Sequence, residues 1–219
     1  MRSILVINPK GGSGKTTLAT NIAVYYAMRG SRTALLDMDP QGSATDWLAE
    51  RPDSKPHIDG IYAADGSTRI PRGTEVLIMD APAGAQGRDL TELLRRAQTA
   101  VVPVVPSPID MRALARFYDD LVRLTRVVNS QIRIATVANR VREASPNRVL
   151  LEEYLRKLKL PDGRKLPFTT VLRNSQAYVR AADRGLGVFE LAPSLVAHEL
   201  ELWQPLLRWL NSKRSLPSV

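Results

Sequence analysis

Residues 3–17 read Ser-Ile-Leu-Val-Ile-Asn-Pro-Lys-Gly-Gly-Ser-Gly-Lys-Thr-Thr. The apolar segment 3–7 predicts a buried strand, and the periodicity of residues 17–29 predicts a helix. Between them lies a glycine-rich loop whose backbone N–H groups can turn toward one point at the start of that helix. In such a loop Lys15 adds a positive charge, and the Thr16 hydroxyl can ligate Mg²⁺. We therefore expect this stretch to bind a phosphate group.

The phosphate loop (residues 9–17) departs from the general pattern at its start. That pattern has a glycine five residues before Gly14, whereas this chain has Pro9 there, followed by a second lysine, Lys10. A lysine at this point has little use within one chain, and one physical option is that it reaches the phosphates of a neighbouring subunit. The alternative, a chance glycine-rich turn with solvated lysines, is disfavoured because a strand and a helix flank the loop.

The composition restricts the classes of function. A length of 219 residues with 44% hydrophobic content suits one domain with a buried core. The chain has no cysteine, which excludes a disulfide framework, a thiolate metal site and an iron–sulfur cluster held by this chain. Its two histidines, His57 and His198, are too far apart in sequence to favour a histidine metal site or triad. Without a long apolar run or a signal-peptide pattern, we expect a cytoplasmic protein.

The net charge of +9 is confined to one part of the chain. Residues 112–184 carry 16 Lys and Arg against 7 Asp and Glu, and the flanking parts are each neutral. Such a block is typical of a surface for a polyanion, and an ordinary solvated face is the alternative. We therefore predict nucleic-acid binding. The candidate contacts are Arg142, Arg148, Arg156, Lys157, Lys159, Arg164 and Lys165.

Short apolar strands alternate with helical stretches along the rest of the chain. The predicted strands are 32–36, 75–79, 100–105, 132–138 and 166–171. The predicted helices are 45–50, 90–98, 111–129, 146–158, 176–183 and 195–211. Residues 51–75 are predicted mainly as loop, with room for one short helix or strand. Because the strands are apolar throughout, we expect an α/β fold with a mostly parallel, twisted sheet covered by helices on both faces.

Carboxylates follow two of the predicted strands. Asp37 and Asp39 follow strand 32–36, and Asp80 follows strand 75–79, at the sheet edge where open α/β folds bind ligands. Asp80 can orient the shell of a Mg²⁺ ion, usually through water. Asp37 and Asp39, at i and i+2 on extended chain, would both face that edge, where one could polarise an attacking water. We favour these roles over the turn or cap role that aspartate often has.

Three segments resemble the deviant Walker A, Walker A′ and Walker B motifs of the ParA/MinD ATPases. They are the loop at residues 8–17, Asp-Met-Asp-Pro-Gln-Gly-Ser at residues 37–43, and Leu-Ile-Met-Asp-Ala-Pro-Ala-Gly at residues 77–84. Residues 104–110 resemble the strand-end loop of small plasmid partition ATPases, notably the ParF type, and residues 176–190 resemble the C-terminal region of the family. The resemblance covers nearly the whole chain in order and spacing. It implies a P-loop NTPase-type sheet in a single domain over residues 1–219.

The resemblance also implies how a nucleotide is bound. Lys10 is then the signature lysine that crosses the interface of an ATP-sandwich homodimer, and Gly12 lies where the two loops meet. Lys15 binds the β- and γ-phosphates, Thr17 touches the α-phosphate, and Asn139 meets the adenine. The implied binding set for ATP or ADP is Lys10, Gly11, Gly12, Ser13, Gly14, Lys15, Thr16, Thr17 and Asn139.

The same resemblance assigns the metal and the chemistry. Thr16 holds Mg²⁺, with Asp80 in the outer shell of the metal and Asp39 as a further candidate for contact with it. Asp39 positions the hydrolytic water, so the implied catalytic residues are Lys10, Lys15 and Asp39. The chain departs from the commonest motif at Ala83, where many members have a second proline.

The family resemblance implies a partition motor. ATP bridges two subunits, the dimer binds DNA without sequence preference on the nucleoid, and a small centromere-binding or adaptor protein stimulates hydrolysis. ADP then loosens the dimer, and assembly beyond the dimer stays open. Because the phosphate loop begins at residue 9, we expect no N-terminal helix-turn-helix domain of the kind found in long plasmid ParA proteins.

Three alternatives stay open from the sequence. The same switch could position a protein cargo instead of a plasmid or chromosome. A MinD-like membrane-surface ATPase would need a basic amphipathic last helix, whereas helix 195–211 has few Lys and Arg and contains Pro205, so we expect it to dock on the core. A P-loop ligase of the dethiobiotin synthetase kind shares the fold but leaves Lys10 and the cationic block unexplained.

Overall fold

A computed structural model describes residues 1–63, 69–127, 132–160 and 162–217. Within these residues seven strands form one sheet, and all of their pairings are parallel. The strands are β1 (Arg2–Val6), β2 (Thr33–Asp37), β3 (Ile58–Tyr62), β4 (Val76–Asp80), β5 (Thr99–Val104), β6 (Arg133–Val141) and β7 (Phe168–Arg173). Their order, β3-β2-β4-β1-β5-β6-β7, confirms the predicted parallel α/β architecture.

Helices cover both faces of the sheet. They are α1 (Lys15–Met28), α2 (Ser43–Ala49), α3 (Gly87–Arg96), α4 (Pro108–Val127), α5 (Pro146–Lys157), α6 (Gln176–Ala182) and α7 (Pro193–Leu210), with 3₁₀ turns at Val188–Glu190 and Lys213–Ser215. Side chains alternate across a strand, so Leu5 of β1 packs with α3, α4 and α5. Its neighbours Ile4 and Val6 pack on the opposite face with α1 and α7. The core is therefore two apolar layers with the sheet between them.

The predicted elements agree with the observed ones apart from a few boundaries. Strand β3 lies within residues 51–75, which were predicted mainly as loop, because it is a sheet-edge strand that contains Asp59 and Gly60 and pairs only with β2. Strand β6 runs three residues beyond the predicted end, to Val141. Residues 128–129 of the predicted helix 111–129 lie outside the described residues.

The last helix, α7, docks on the sheet as expected. Trp203, Leu206, Leu207 and Leu210 are buried in the layer that also contains α1. The apolar face of α7 is therefore occupied by the protein itself. Among the described helices, none combines the length and the apolar composition that crossing a bilayer requires.

A buried ion pair joins α2 to the segment that follows α6. The Arg51 guanidinium donates two hydrogen bonds to the Glu190 carboxylate, at 2.8 and 3.0 Å, and a third to the Gly185 carbonyl at 2.9 Å. The two side chains are only 6% and 1% exposed. Glu190 in turn accepts from the backbone N–H of Gly187 at 2.9 Å. This network connects the end of α2 to the turn that follows α6.

We expect Arg51→Ala to lower the free energy of unfolding by about 3–5 kcal/mol, because it leaves the Glu190 carboxylate buried without its partner. The matched control is Arg32→Ala, since the Arg32–Glu75 pair is exposed and its charged atoms are 3.8 Å apart. That change should cost less than about 1 kcal/mol. Chemical denaturation of both variants measures the difference, and equal costs would contradict this account.

Candidate functional site

A cavity of about 480 Å³ opens at the carboxyl edge of the sheet. The phosphate loop forms its floor, and the ends of β2, β6 and β7 and the start of α6 form its walls. The lining residues predicted from sequence are Gly11, Gly12, Gly14, Lys15, Thr16, Thr17, Asp39 and Asn139. The structure therefore brings most of the predicted site together. The other three predicted residues, Lys10, Ser13 and Asp80, accept hydrogen bonds from residues of the lining.

The backbone of the phosphate loop presents unpaired donors. None of the N–H groups of residues 11–15 has an acceptor within the described residues. Gly12 and Gly14 adopt φ values of 74° and 87°, a left-handed conformation that glycine adopts without strain. Ser13 and Lys15 are buried and Gly14 is half-buried, and enclosed N–H groups are nearly always paired in folded proteins, so free ones at these positions indicate a site for an anion. This is the property expected of a phosphate cradle.

Lys15 lies against the loop instead of extending into solvent. Its side chain is 6% exposed, and its ammonium donates to the Lys10 carbonyl at 3.2 Å. The Ser13 hydroxyl donates to the same carbonyl at 3.1 Å. Burial lowers the pKa of Lys15, while Asp80 and Asp39 act to raise it. Lys15 is therefore a cation held at the floor of the cavity.

Lys10 differs from Lys15 in having a free side chain. Its backbone N–H donates to Asn8 Oδ1 at 2.8 Å, and Asn8 itself is buried and donates to the Pro103 carbonyl. The Lys10 ammonium, by contrast, makes no hydrogen bond or ion pair with any residue that the structure describes. The backbone of Lys10 is thus fixed on the sheet while its charge remains available.

Thr16 and Asp80 form the polar centre of the site. The Thr16 hydroxyl donates to Asp80 Oδ2 at 2.6 Å, and Asp80 is completely buried. Burial raises the pKa of Asp80 to about 7, against the lowering effect of the Thr16 hydrogen bond. The second carboxylate oxygen, Oδ1, has no partner in the described part of the chain. An orphaned carboxylate oxygen next to a hydroxyl suits a hard cation such as Mg²⁺, so Thr16 and Asp80 fit the predicted metal.

The two aspartates after β2 have separate environments, contrary to the expectation that both face the phosphate edge. Asp37 is buried and accepts from the N–H and hydroxyl of Thr45 at 2.8 and 3.0 Å, which holds the start of α2. Strand β2 ends at Asp37, so the alternation of an extended chain no longer relates it to Asp39. Asp39 alone lines the cavity.

The backbone of neighbouring turns holds the Asp39 carboxylate. Oδ1 accepts from the Gln41 N–H at 3.0 Å, and Oδ2 accepts from the Ala83 N–H at 3.2 Å. Proline has no N–H group, so the second bond requires a residue other than proline at position 83, and this chain has alanine there. The departure from the common motif at Ala83 therefore contributes to how Asp39 is oriented.

Asn139 contacts the phosphate loop directly. Its amide donates to the Ser13 carbonyl at 2.9 Å, and a Cβ atom at Gly14 would lie 2.2 Å from its Nδ2. Gly14 is thus required both by its φ and by this close approach. Asn139 also lines the cavity, and its contact with adenine stays a prediction.

The members of the cationic block have different environments in the structure. Four of the seven candidate DNA contacts form ion pairs: Arg148 and Arg156 with Glu152, Lys157 with Glu153, and Arg164 with Asp162. Among the described residues, Arg142, Lys159 and Lys165 have no carboxylate partner and are exposed. Two other members of the block, Arg140 and Arg173, line the cavity.

Sequence reasoning missed several lining residues. Arg140 carried no signal beyond its place after Asn139. In the wall formed by Arg173, Ser175 and Tyr178, Tyr178 belongs to the stretch 176–190 and the other two directly precede it, so the family resemblance of that stretch could have pointed to this wall.

A model of the CobQ/CobB/MinD/ParA nucleotide binding domain family matches residues 4–188 of this chain. The maintenance of carboxysome distribution protein A of Halothiobacillus neapolitanus is 27% identical over 195 residues, which cover 86% of this chain and 87% of that protein. The chromosome-partitioning ATPase Soj of Thermus thermophilus is 26% identical over an alignment of 227 positions, which covers 89% of this chain and 90% of that protein.

Solved structures share the fold. The MinD cell division protein of Aquifex aeolicus superposes with a TM-score of 0.71 at 16% identity, over 97% of this chain and 98% of that one. Cobyrinic acid a,c-diamide synthase of Mycobacterium smegmatis, with an ATP analogue and magnesium bound, gives 0.66 at 19% identity over 100% and 99%. At these identities the likeness concerns the fold alone.

The buried carboxyl of Asp80 makes stability depend on pH. The folded protein keeps the Asp80 proton up to about pH 7, whereas the unfolded chain releases it near 3.8, so this group destabilises the fold as pH rises through that window. At 1.36 kcal/mol per pKa unit the difference is about 4 kcal/mol. Because only about 2 of these pKa units lie above pH 5, we expect Asp80→Asn to gain about 3 kcal/mol of stability relative to the unaltered protein between pH 5 and pH 8.

Chemical denaturation in EDTA at the two pH values measures the effect. Asp53→Asn is the control, since this carboxylate is exposed and is not among the charges that act on Asp80, so the variant should keep the pH dependence of the unaltered protein. A pH dependence that is the same in Asp80→Asn and the unaltered protein would contradict the assignment.

Proposed function

Since this chain belongs to the CobQ/CobB/MinD/ParA nucleotide binding domain family, we propose that it is a Mg²⁺-dependent ATPase that works as an ATP-driven dimer switch. The observation that carries the proposal is the run of free N–H groups at residues 11–15 beside Lys15 and the Thr16–Asp80 pair. Those donors suit the phosphates, and the buried oxygens suit the metal. ATP and ADP are the ligands proposed for the cavity.

The residues of the site have different roles in the proposed hydrolysis. Lys15 and the loop N–H groups bind the phosphates, and bound Mg²⁺ would neutralise part of their charge at Thr16, with Asp80 behind it. The Asp39 carboxylate, held by the N–H groups of Gln41 and Ala83, orients a water at the cavity wall. Phosphoryl-transfer catalysis depends mainly on positioning and on stabilisation of charge. Asp39 supplies only the positioning of the water, so we expect slow turnover in the absence of a partner protein.

The free charge of Lys10 supports a dimer. A lysine whose ammonium has no partner among the described residues of its own subunit, next to a phosphate loop, is available to the nucleotide of a second subunit. Gly12 is exposed, and a Cβ atom there would meet nothing within 4 Å in the single chain. Its surroundings are therefore open for a partner to approach. We propose that ATP bridges two copies and that hydrolysis to ADP releases them, with larger assemblies built from such dimers.

The cationic surface supports binding of DNA without sequence preference, and hence association with the nucleoid in the cytoplasm. Among the seven candidate contacts, Arg142, Lys159 and Lys165 are exposed and have no carboxylate partner in the described part of the chain, so their charge is available for phosphates of the DNA backbone. A separate partner protein, either a small centromere-binding protein or an adaptor, would stimulate hydrolysis and connect the switch to its cargo. Plasmid or chromosomal DNA is the first proposed cargo.

A protein body is the second proposed cargo. Similarity over most of both chains to a protein named for maintenance of carboxysome distribution favours it as much as similarity to Soj favours DNA. The two proposals share the ATPase, the dimer and the DNA surface, and differ only in the partner. A membrane-surface role is less favoured, because the apolar face of α7 is buried in the core. A ligase role leaves the free Lys10 charge without a use.

We expect Lys15→Ala to lose ATP hydrolysis by at least about a hundredfold, since the cation that stabilises the transferred phosphoryl group is removed. Lys10→Ala should still bind nucleotide but should fail to dimerise with ATP. Hydrolysis assays and light scattering with ATP, ADP or neither measure the two effects. Lys213→Ala, which removes an exposed lysine outside the cavity, is the control and should keep both activities. An ATP-dependent dimer of Lys10→Ala would contradict the proposed role.

We expect the unaltered protein to bind DNA with ATP and not with ADP, with a steep dependence on salt. The triple variant Arg142→Ala, Lys159→Ala, Lys165→Ala should reduce the slope of log affinity against log salt by about three. The control changes three ion-paired cations, Arg156, Lys157 and Arg164, to alanine and should have a smaller effect.

Affinity that is equal in both triple variants would contradict the assigned DNA surface. The product of the neighbouring gene, added with DNA, separates the two cargoes. A stimulating partner that binds its own DNA sites supports segregation of DNA, and one without such sites supports a protein body.

A further inference from the structure

Strand β6 ends in an irregularity beside the phosphate loop. Its pairing with β7 changes register there: Ala138 is opposite Val171, but Val141 is opposite Arg173, so β6 has one extra residue. Within this bulge Arg140 has a φ of 54°, and no other residue in the described part, glycine apart, has a positive φ. Such a conformation is strained for arginine and is retained only where the surroundings require it. Bulges often redirect side chains next to functional sites.

The bulge places two consecutive side chains on the same loop. In a regular strand, Asn139 and Arg140 would point to opposite faces of the sheet. Here Asn139 donates to the Ser13 carbonyl at 2.9 Å, and Arg140 Nη1 donates to the Gly12 carbonyl at 3.0 Å. Two adjacent carbonyls of the phosphate loop are thus held by two adjacent residues of β6.

Holding these carbonyls also aims the N–H groups that follow them. The C=O and N–H of a trans peptide point in opposite directions, and the chain has no cis peptide bond among its described residues. A Gly12 carbonyl fixed on Arg140 therefore turns the Ser13 N–H away from Arg140, and a Ser13 carbonyl fixed on Asn139 does the same for Gly14. Both N–H groups belong to the run without acceptors.

We propose that Arg140 is a positioning residue for the bound phosphates, acting through the Gly12–Ser13 peptide. The inference rests on the proposed function, because it takes the loop to bind a nucleotide. Arg140 belongs to the cationic block, so contact with DNA is the other role that its charge allows. The two roles differ in what they affect: positioning changes affinity for nucleotide, whereas a DNA contact changes only affinity for DNA and its salt dependence.

The test replaces the side chain without straining the backbone. Arg140→Gly removes the hydrogen bond to Gly12 and suits the positive φ, so its melting temperature should equal or exceed that of the unaltered protein. Its dissociation constant for an N-methylanthraniloyl derivative of ADP should rise about tenfold, as expected for loss of one hydrogen bond from a charged donor. Arg140→Lys, which can still donate to the Gly12 carbonyl, should recover part of the affinity. Arg72→Gly, which changes an exposed cation on a turn outside the cavity, is the control and should bind nucleotide like the unaltered protein.

The results separate the possible failures. If the unaltered protein binds no nucleotide, the proposed function and this inference both fail. If the unaltered protein binds nucleotide and Arg140→Gly binds it equally well, only the inference about Arg140 is overturned. Should Arg140→Gly unfold, Arg140→Asn decides in its place, because asparagine tolerates a positive φ and is too short to replace the bond. Equal loss of affinity in Arg140→Lys and Arg140→Gly would also overturn the positioning role.

Discussion

The N–H groups of residues 11–15 have no acceptor within the described structure. Hydrogen bonds from neighbouring side chains to the carbonyls of the loop hold it in this conformation. Leaving donors unpaired costs free energy, so the loop must be prevented from turning its N–H groups toward nearby carbonyls. The carbonyls are accordingly occupied: Lys15 and Ser13 donate to that of Lys10, Arg140 to that of Gly12, and Asn139 to that of Ser13. The sheet supplies both sides of this arrangement, because β1 leads into the loop and β6 ends beside it.

The same edge of the sheet sets the electrostatics of the cavity. Lys15 is buried close to Asp80, so each charge partly offsets the cost of burying the other. The unpaired Asp80 oxygen shows that the balance is incomplete in the protein alone. A cation at this point would complete it, which makes the site more favourable with metal and phosphate present than without them.

In the folded protein the cationic residues have different environments. Members of the cationic block at 112–184 are distributed between helix ion pairs, the cavity wall and an exposed remainder. Charge count alone therefore overstates the surface that is available to a polyanion. Only the exposed cations without carboxylate partners, Arg142, Lys159 and Lys165 among the candidates, remain for that role in the described structure.

The sequence alone determined the parallel sheet, nearly every element and the loop with its two lysines, because apolar runs, helical periodicity and a glycine-rich turn are local patterns. It left β3 uncertain, because Asp59 and Gly60 are residue types that are uncommon in strands. Pairing with β2 stabilises this edge strand in the described structure. Tertiary structure alone decided that Asp37 and Asp39 have different neighbours and that Ala83 holds Asp39. It also decided that Arg140 contacts the loop, because that contact depends on a bulge and joins residues 128 positions apart in the chain, where no local pattern reaches.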